Sequence, residues 1–273
     1  PWRIIRKEKA MYGYSKLEKH NNNVAFEPSD NMLVRGGTLD RKVDGYRQLT
    51  VTGRGLIGQS VKTTSIAGRH GVWVEDISEP ERILEIKYQL TADSSAELRK
   101  KFNLLNKTLR SVSDEHGMLE VSFKDEPDYI YYTIFNGADA IEENALTIVS
   151  RFSLLVPDGL KKSDYKKSTG VVTLENSVEV VPKKITVTTT KATDTIKITN
   201  ERQTISFTGS YDANQDITIL FDTNEVKALY KNRSILSELD LFSDLENFKV
   251  KNYDLIKATN AIVKEVVWRD EIL

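Results

Sequence analysis

Short segments rich in β-branched residues, each closed by turn-forming residues, recur along the chain from about Tyr46 to Trp268. Such segments are typical of β-strands, and their close spacing leaves little room for long helices. In the segment 82–90 every second residue is apolar: Leu84, Ile86, Tyr88 and Leu90. This alternation predicts a strand of an antiparallel sheet with one buried face. The chain is therefore expected to be mostly β.

One segment has helical periodicity. The run Ser94-Ser95-Ala96-Glu97 fits a capping box, in which a serine hydroxyl and a glutamate carboxylate accept hydrogen bonds from free backbone N–H groups. Four apolar residues follow at spacings of four, three and four: Leu98, Phe102, Leu105 and Leu109. This stripe predicts an amphipathic helix that packs on one face of a sheet.

The length of 273 residues suits two domains. The segment 158–184 is polar, basic and unpatterned, and it separates two strand-rich stretches. We therefore expect an N-terminal arm, 1–31, and an α+β domain, 32–158, that resembles a β-sandwich with one helix. A linker and an all-β sandwich follow in 159–273. Strands of the second domain are predicted near 185–190, 195–199, 204–207, 217–221, 226–230, 248–250 and 261–268.

The N-terminal arm is basic and partly apolar. Residues 1–20 contain six lysines and arginines and two glutamates, which gives a local charge of +4. Its apolar side chains are Trp2, Ile4, Ile5, Tyr12 and Tyr14. Two hypotheses follow: a solvated arm, or an arm that docks on a neighbouring subunit and so removes this apolar surface from water.

Composition narrows the available chemistry. The chain has no cysteine, which excludes disulfides, thiolate zinc sites and cysteine nucleophiles. Its three histidines, at 20, 70 and 116, lack metal-ligand spacing. The net charge of −1 argues against a dedicated nucleic-acid binder. No apolar run approaches the roughly 20 residues that span a bilayer. We predict no catalytic, cofactor-binding or metal-binding residues, although a pair of catalytic carboxylates leaves no sequence signature.

A Gly-x-Gly-x-x-Gly pattern occurs at Gly53, Gly55 and Gly58. In a dinucleotide-binding fold such glycines precede a helix whose N-terminus holds the pyrophosphate. Here the residues that follow, 59–66, are β-branched and have no helical stripe. The pattern is more typical of a loop between strands.

Two further features allow a functional and a structural interpretation. His70 lies between Gly68 and Gly71, with Glu75 and Asp76 nearby, which suits either a catalytic or metal-binding histidine or an exposed turn. The Thr-rich segment 185–190, with Tyr211, Tyr253 and Trp268, suits either a sugar site or ordinary strand faces and core aromatics. In both cases the structural interpretation is the commoner one.

Several segments in order resemble the distal tail protein (Dit) family of phages with long non-contractile tails that infect Gram-positive hosts. The resemblance runs over roughly residues 32–273. The segments that carry it are 51–55, 61–71, 81–86, the helix, 119–129, the strand end at 156–158, 219–222 and 266–269. His70 departs from the family, in which an acidic residue is common at this turn.

The resemblance implies a structural virion protein at the tail tip that is not an enzyme. The N-terminal domain would assemble into a hexameric ring, with a galectin-like C-terminal sandwich outside it. This hub would join the tail tube protein to the tail-tip and receptor-binding apparatus. DNA would pass through the lumen without specific binding, and assembly would take place in the host cytoplasm. A carbohydrate- or receptor-binding β-sandwich protein is the alternative.

Overall fold

The computed structural model describes residues 28–112, 117–141, 145–222 and 225–273. Most of the N-terminal arm, 1–27, lies outside the described residues, as do His20 and His116. The described chain is mostly antiparallel β, which confirms the predicted fold class. Its buried apolar residues form two clusters, here called the first core (residues 32–156) and the second core (residues 172–268).

The elements around the first core follow each other in a simple order. They are β1 (Met32–Val34), β2 (Gly37–Thr38), α1 (Leu39–Lys42), β3 (Tyr46–Thr52), β4 (Ser60–Thr64), β5 (Trp73–Ser78), β6 (Arg82–Thr91), α2 (Ser95–Leu109), β7 (Leu119–Phe123), β8 (Glu126–Ala138) and β9 (Thr147–Val156).

A nine-stranded sheet surrounds the first core in the order β2-β1-β7-β8-β9-β6-β3, with one further strand paired to β8 and a second paired to that strand. The long strand β8 joins its two halves. The first part of β8 pairs with β7, whereas Ile134 to Ala138 pair with β9. Both halves contribute to the core, for example Val121 from β7 and Ile86 from β6.

Helix α2 confirms the helix prediction. Ser94 is the N-cap and its Oγ accepts a hydrogen bond from Glu97 N at 3.2 Å, while Glu97 accepts one from Asp93 N at 2.9 Å. Leu98, Leu105 and Leu109 are buried in the first core, and Phe102 packs against it. The apolar stripe therefore faces the sheet, as the spacing predicted.

The remaining elements surround the second core and the connection to it. They are β10 (Lys161–Ser163), β11 (Lys166–Ser168), β12 (Glu179–Val180), β13 (Lys184–Thr189), β14 (Thr193–Thr199), β15 (Thr204–Tyr211), β16 (Asp216–Phe221), β17 (Val226–Tyr230), β18 (Arg233–Ser234), a 3₁₀ turn (Leu236–Glu238), β19 (Val250–Lys251), β20 (Lys257–Thr259), β21 (Ala261–Trp268) and β22 (Glu271–Ile272).

The second core lies among three sheets. The largest has the order β11-β21-β13-β16-β17-β18, and the others are β15-β14-β20 and β12-β19. The apolar residues of β13 and β16 that point inward include Ile185, Val187, Ile217 and Ile219, all fully buried. Strands β13 to β17 and β21 lie where the sequence predicted strands, because each is a run rich in β-branched residues between turn residues.

The segment 158–184 is not the unpaired connection that its polar sequence suggested. Strand β10 pairs with β8 of the first sheet, and β11 pairs with β21 of the second. Val172 and Leu174 lie in the second core. Lys162 and Lys166 of these strands are partly buried and each ends in an ion pair with an aspartate, so the sequence shows no apolar alternation. The domain limits themselves remain a prediction.

Several elements were not predicted: three small ones near the beginning of the described chain, the longer strand β5, and the short strands β10, β11, β12, β18, β20 and β22. Strands β1 and β2 and helix α1 are only three, two and four residues long. Strand β5 was missed because all of its residues are exposed and it lacks apolar alternation. The residues of these elements are too few, or too uniformly exposed, to show an apolar period that sequence could reveal.

Candidate assembly interface

The loop after β3 is held by one buried arginine. Arg82, which is 1% exposed, donates hydrogen bonds from Nη1 to the carbonyl oxygens of Gly53 and Gly55 at 2.8 and 3.0 Å. Its Nε donates to the carbonyl oxygen of Gly159 at 3.0 Å. One side chain therefore joins the end of β3, the start of β6 and the segment that leaves β9.

Gly53 occupies a position that only glycine suits. Its φ is +89°, and a Cβ there would lie 1.9 Å from the carbonyl oxygen of Ile83. Gly55 and Gly58 have open space around the Cβ position. A strand, β4, follows the loop, so the Gly-x-Gly-x-x-Gly segment is a loop between strands as predicted. It lacks the helix N-terminus that a dinucleotide phosphate requires.

Arg54 fixes the same loop to the β7–β8 turn. Its guanidinium lies 4.2 Å from the ring centroid of Phe123 and 2.8 Å from Asp125 Oδ1. Glu126 accepts from Arg54 at 3.5 Å and also pairs with Lys161 of β10. The segment 51–55, Val-Thr-Gly-Arg-Gly, therefore has a structural role: it fixes the base of the β4–β5 hairpin that follows it.

A hairpin formed by β4 and β5 projects from this base. Every residue of both strands is exposed. The exposed apolar side chains on the hairpin and its connections are Leu56, Val61, Ile66, Val72, Trp73, Val74 and Ile77. Two strands with no core of their own are marginal in water. A surface of this kind marks an interaction site.

A β-bulge sorts the hairpin residues into two faces. Val61 pairs with Ile77 and Thr63 pairs with Val74, because the register shifts by one residue at Glu75. Paired residues point to the same side of a sheet, so Val61, Val74 and Ile77 share one face. These side chains are 49, 47 and 55% exposed. Without the bulge, Val74 would lie on the opposite face.

The opposite face of the hairpin is more polar. Lys62 and Asp76 are paired there, and Lys62 Nζ lies 3.0 Å from Glu75 Oε2. Thr64 also donates a hydrogen bond to Glu75. These two hydrogen bonds, from Thr64 and then Lys62, lower the pKa of Glu75 below its usual value. One face is thus apolar, whereas the other carries the Lys62–Glu75 ion pair together with the exposed indole of Trp73, which pairs with Thr64.

The structure does not assemble a catalytic site around His70. This histidine is exposed in the turn between β4 and β5, where Gly68 and Gly71 both have φ of +82°. Glu75 is paired with Lys62 instead. Within the described residues, no group of three or more histidine, aspartate or glutamate side chains could hold a metal ion. No described helix has the length and apolarity to cross a membrane.

The residues considered for sugar binding do not come together. Tyr211 and Trp268 are 1 and 2% exposed and belong to the second core, whereas Tyr253 is 76% exposed on a turn. The Thr-rich strand does border an open polar groove, beside Asn214, Asp216, Lys231 and Lys264. None of the described residues that line this groove is aromatic, so it lacks the stacking surface that sugars prefer.

Strand β22 follows the last strand of the second core, β21, and joins the first sheet. It pairs with β10, which in turn pairs with β8. Just before it, Arg269 donates to the hydroxyl of Tyr132 at 3.3 Å. Asn176 donates to the hydroxyl of Tyr129 at 2.7 Å. Residues 269–272, here called the strap, were not predicted from the sequence, because a strand of two residues shows no periodic pattern.

A buried carboxylate lies at the centre of the strap. Asp270 is fully buried, and its Oδ1 accepts from the backbone N–H groups of Glu175, Asn176 and Ser177 at 3.0, 3.2 and 3.2 Å. Its Oδ2 accepts from Lys166 Nζ at 3.0 Å. Burial alone would raise the pKa of Asp270, but the hydrogen bonds from Lys166 and these backbone groups outweigh burial and lower it.

Comparison with solved structures identifies a known protein with a similar fold. No protein-family model and no curated protein matches the chain. Among solved structures, the phage SPP1 Dit protein, described as a paradigm of the hub adsorption apparatus in Gram-positive-infecting phages, superposes with a TM-score of 0.67. The match covers 89% of this chain and 99% of that chain at 17% sequence identity.

A second solved structure gives a weaker match. The phage P2 baseplate in its Ca-activated conformation has a TM-score of 0.44 at 10% identity, over 84% of this chain and 91% of that chain. The conclusion on fold rests on the first match, which includes both cores and extends over almost the whole of the other protein. This chain has the fold of the phage distal tail protein Dit.

Proposed function

We propose that this chain is a structural virion protein, a distal tail hub that joins a phage tail tube to the tail-tip and host-adsorption apparatus. The observation that carries the proposal is the superposition on SPP1 Dit across both cores. The segments whose sequence resembles the Dit family have structural roles. Arg54 and Gly53, for example, hold the base of the exposed hairpin.

The hub would be a ring of six copies. The apolar side chains on one face of the β4–β5 hairpin remain exposed in the described chain. Contact with another subunit would remove this apolar surface from water. A hairpin from one copy that packs on the next makes a head-to-tail contact, which closes into a ring when the rotation allows. The number six comes from the family resemblance. Tail tube and tail-tip proteins would bind the two faces of the ring, and DNA would pass through its lumen.

We propose no catalytic role for this chain. The described residues also support the hub function better than they support carbohydrate binding. The aromatic side chains that would have supported carbohydrate binding are divided between the core and a distant turn. The polar groove beside the Thr-rich strand is a solvated sheet face in this proposal.

Native mass spectrometry and negative-stain electron microscopy of the full chain test the hub. Rings of six copies are the expected result. A monomer that persists at the highest soluble concentration would overturn the ring, and so would a closed dimer that buries the hairpin symmetrically. The full chain is the right sample, because ending it near Asp158 would remove β10 and β22 from the edge of β8.

A further inference from the structure

Leu241 and Phe242 form an apolar pair at the surface of the second core. They are 91 and 93% exposed, and they lie next to each other on the loop between the 3₁₀ turn and β19. A single exposed apolar residue is ordinary. Two large neighbours that are both more than nine-tenths exposed on one loop mark a protrusion that the fold itself does not use.

The loop is fixed on both sides of this pair. Before it, Asp240 N donates to the carbonyl oxygen of Ser206 at 2.9 Å, and the Asp240 carboxylate accepts from Ser206 and from Thr208 Oγ1. After it, Ser243 Oγ accepts from Ser206 N at 2.9 Å. Asp244 and Thr204 exchange two hydrogen bonds, each of 2.9 Å.

These bonds clamp the loop along strand β15, so Leu241 and Phe242 are held out as a preformed tip. A tip that is already ordered loses little conformational entropy on binding, which favours its use as an anchor. Leu245, three residues after Phe242, is buried in the second core and fixes the far end of the loop.

The surroundings of the tip are acidic. Residues 238–246 contain Glu238, Asp240, Asp244 and Glu246 and no lysine or arginine. Glu238 is paired with Arg233, and Lys197 lies close enough to Asp240 to lower its pKa, after the hydroxyls of Ser206 and Thr208. The negative charge of Asp244 and Glu246 therefore remains beside the tip. An anionic lipid surface would repel it.

We propose that the loop 240–246 docks into another protein of the assembly, and that this protein presents an apolar pocket with lysine or arginine at its rim. Phe242 and Leu241 would fill the pocket, and Glu246 and Asp244 would face the basic rim. Interfaces of this form concentrate their binding energy in a buried aromatic anchor, with charges at the rim that orient the partner. The inference rests on the proposed hub function.

Photo-crosslinking in assembled particles tests the proposal. A phage that lacks this gene is complemented with a full chain that carries benzoylphenylalanine at position 242. A matched chain carries it at position 178, because Val178 is also apolar and 82% exposed. After irradiation, the expected result is one adduct at position 242 to a different tail-tip protein, in a peptide with apolar residues and a lysine or arginine, and no such adduct from position 178.

The other outcomes each overturn a defined statement. Particles that contain the chain but give no adduct at position 242, or an adduct to a second copy of the chain or to lipid, overturn the docking proposal alone. An adduct to the same protein from position 178 also overturns it. Particles without the chain overturn the hub function and this inference with it.

Two substitutions give an independent measurement. F242S and E246K should each lower the amount of the crosslinked protein in purified particles, F242S by about tenfold or more because it removes the anchor. V178S should leave that amount unchanged. Equal loss with V178S would show a general assembly defect and would overturn the specific role of the tip. Circular dichroism of each variant checks that the second core is folded.

Discussion

The Nζ of Lys166 lies 3.0 Å from the buried carboxylate of Asp270, and these two residues anchor the strand that crosses from the second core to the first sheet. The carboxylate also accepts three backbone N–H bonds from residues 175–177. All of these donors favour the ionised form. The link between the two halves of the molecule therefore depends on one negative charge in a buried position.

Replacing this carboxylate should weaken the whole chain. D270N leaves three N–H groups and the partly buried Lys166 with an amide that cannot accept from all of them, and we expect a loss of roughly 2–4 kcal/mol in the free energy of unfolding. D216N is the matched control, because the Asp216–Lys264 pair is exposed and should contribute less than about 1 kcal/mol. Urea unfolding at equal protein concentration measures both. Equal effects would contradict the role of the strap.

The same carboxylate predicts a pH dependence. The pKa of Asp270 in the folded state lies below its ordinary value of 3.8. The stabilisation that ionised Asp270 gives to the folded chain is therefore complete above pH 3.8 and is lost as the pH falls through the folded-state pKa. The difference in stability between the wild-type chain and D270N should therefore shrink as the pH is lowered below about 4. Unfolding curves between about pH 3 and pH 7 test this window. A difference that stays constant across it would contradict the assignment.

Among the arginines near the first core, we expect replacement of Arg82 to cause the largest loss of stability. R82M would leave the carbonyl oxygens of Gly53, Gly55 and Gly159 without their donor, and we expect a loss of roughly 2–4 kcal/mol. R69M, at the exposed tip of the hairpin, should change stability by less than about 0.5 kcal/mol. Thermal and urea unfolding compare the two. A neutral R82M would mean that water replaces all three hydrogen bonds.

The two glycines of one loop should differ sharply. G53A places a methyl group against the backbone of Ile83 at a positive φ, and we expect roughly 1–3 kcal/mol of destabilisation. G55A has open space and should be close to neutral. If both variants unfold at the same urea concentration, the loop does not have the backbone described here.

The apolar face of the hairpin should control assembly without affecting the folded subunit. V61S/I77S replaces a cross-strand pair on the proposed contact face, and we expect loss of rings with a change of less than about 0.5 kcal/mol in subunit stability, since both side chains are exposed. K62S/D76S replaces the next pair on the opposite face and should retain rings. Native mass spectrometry distinguishes them. If both variants form rings, the contact between subunits does not involve the apolar face of the hairpin.

Much of the fold was determined locally by the sequence. The alternation at 82–90 predicted β6 and its buried face, and the capping box with its four-residue stripe predicted α2. These predictions were confirmed because the spacing of apolar residues, every second residue in a strand and every three or four in a helix, determines which face can be buried. The family resemblance was likewise carried by local turns, such as the one at Gly53 and Arg54, whose backbone and charge requirements restrict the residues allowed.

Only the tertiary structure decided how the pieces meet. The bulge at Glu75 places Val74 on the same face as Val61 and Ile77, which no local pattern shows. Strand β22 and the buried charge of Asp270 join residues about one hundred positions apart, and the polar segment 158–184 becomes paired strand for the same reason. Long-range pairing depends on which backbone edges and ion partners the folded chain brings together, and that information is spread over distant parts of the sequence.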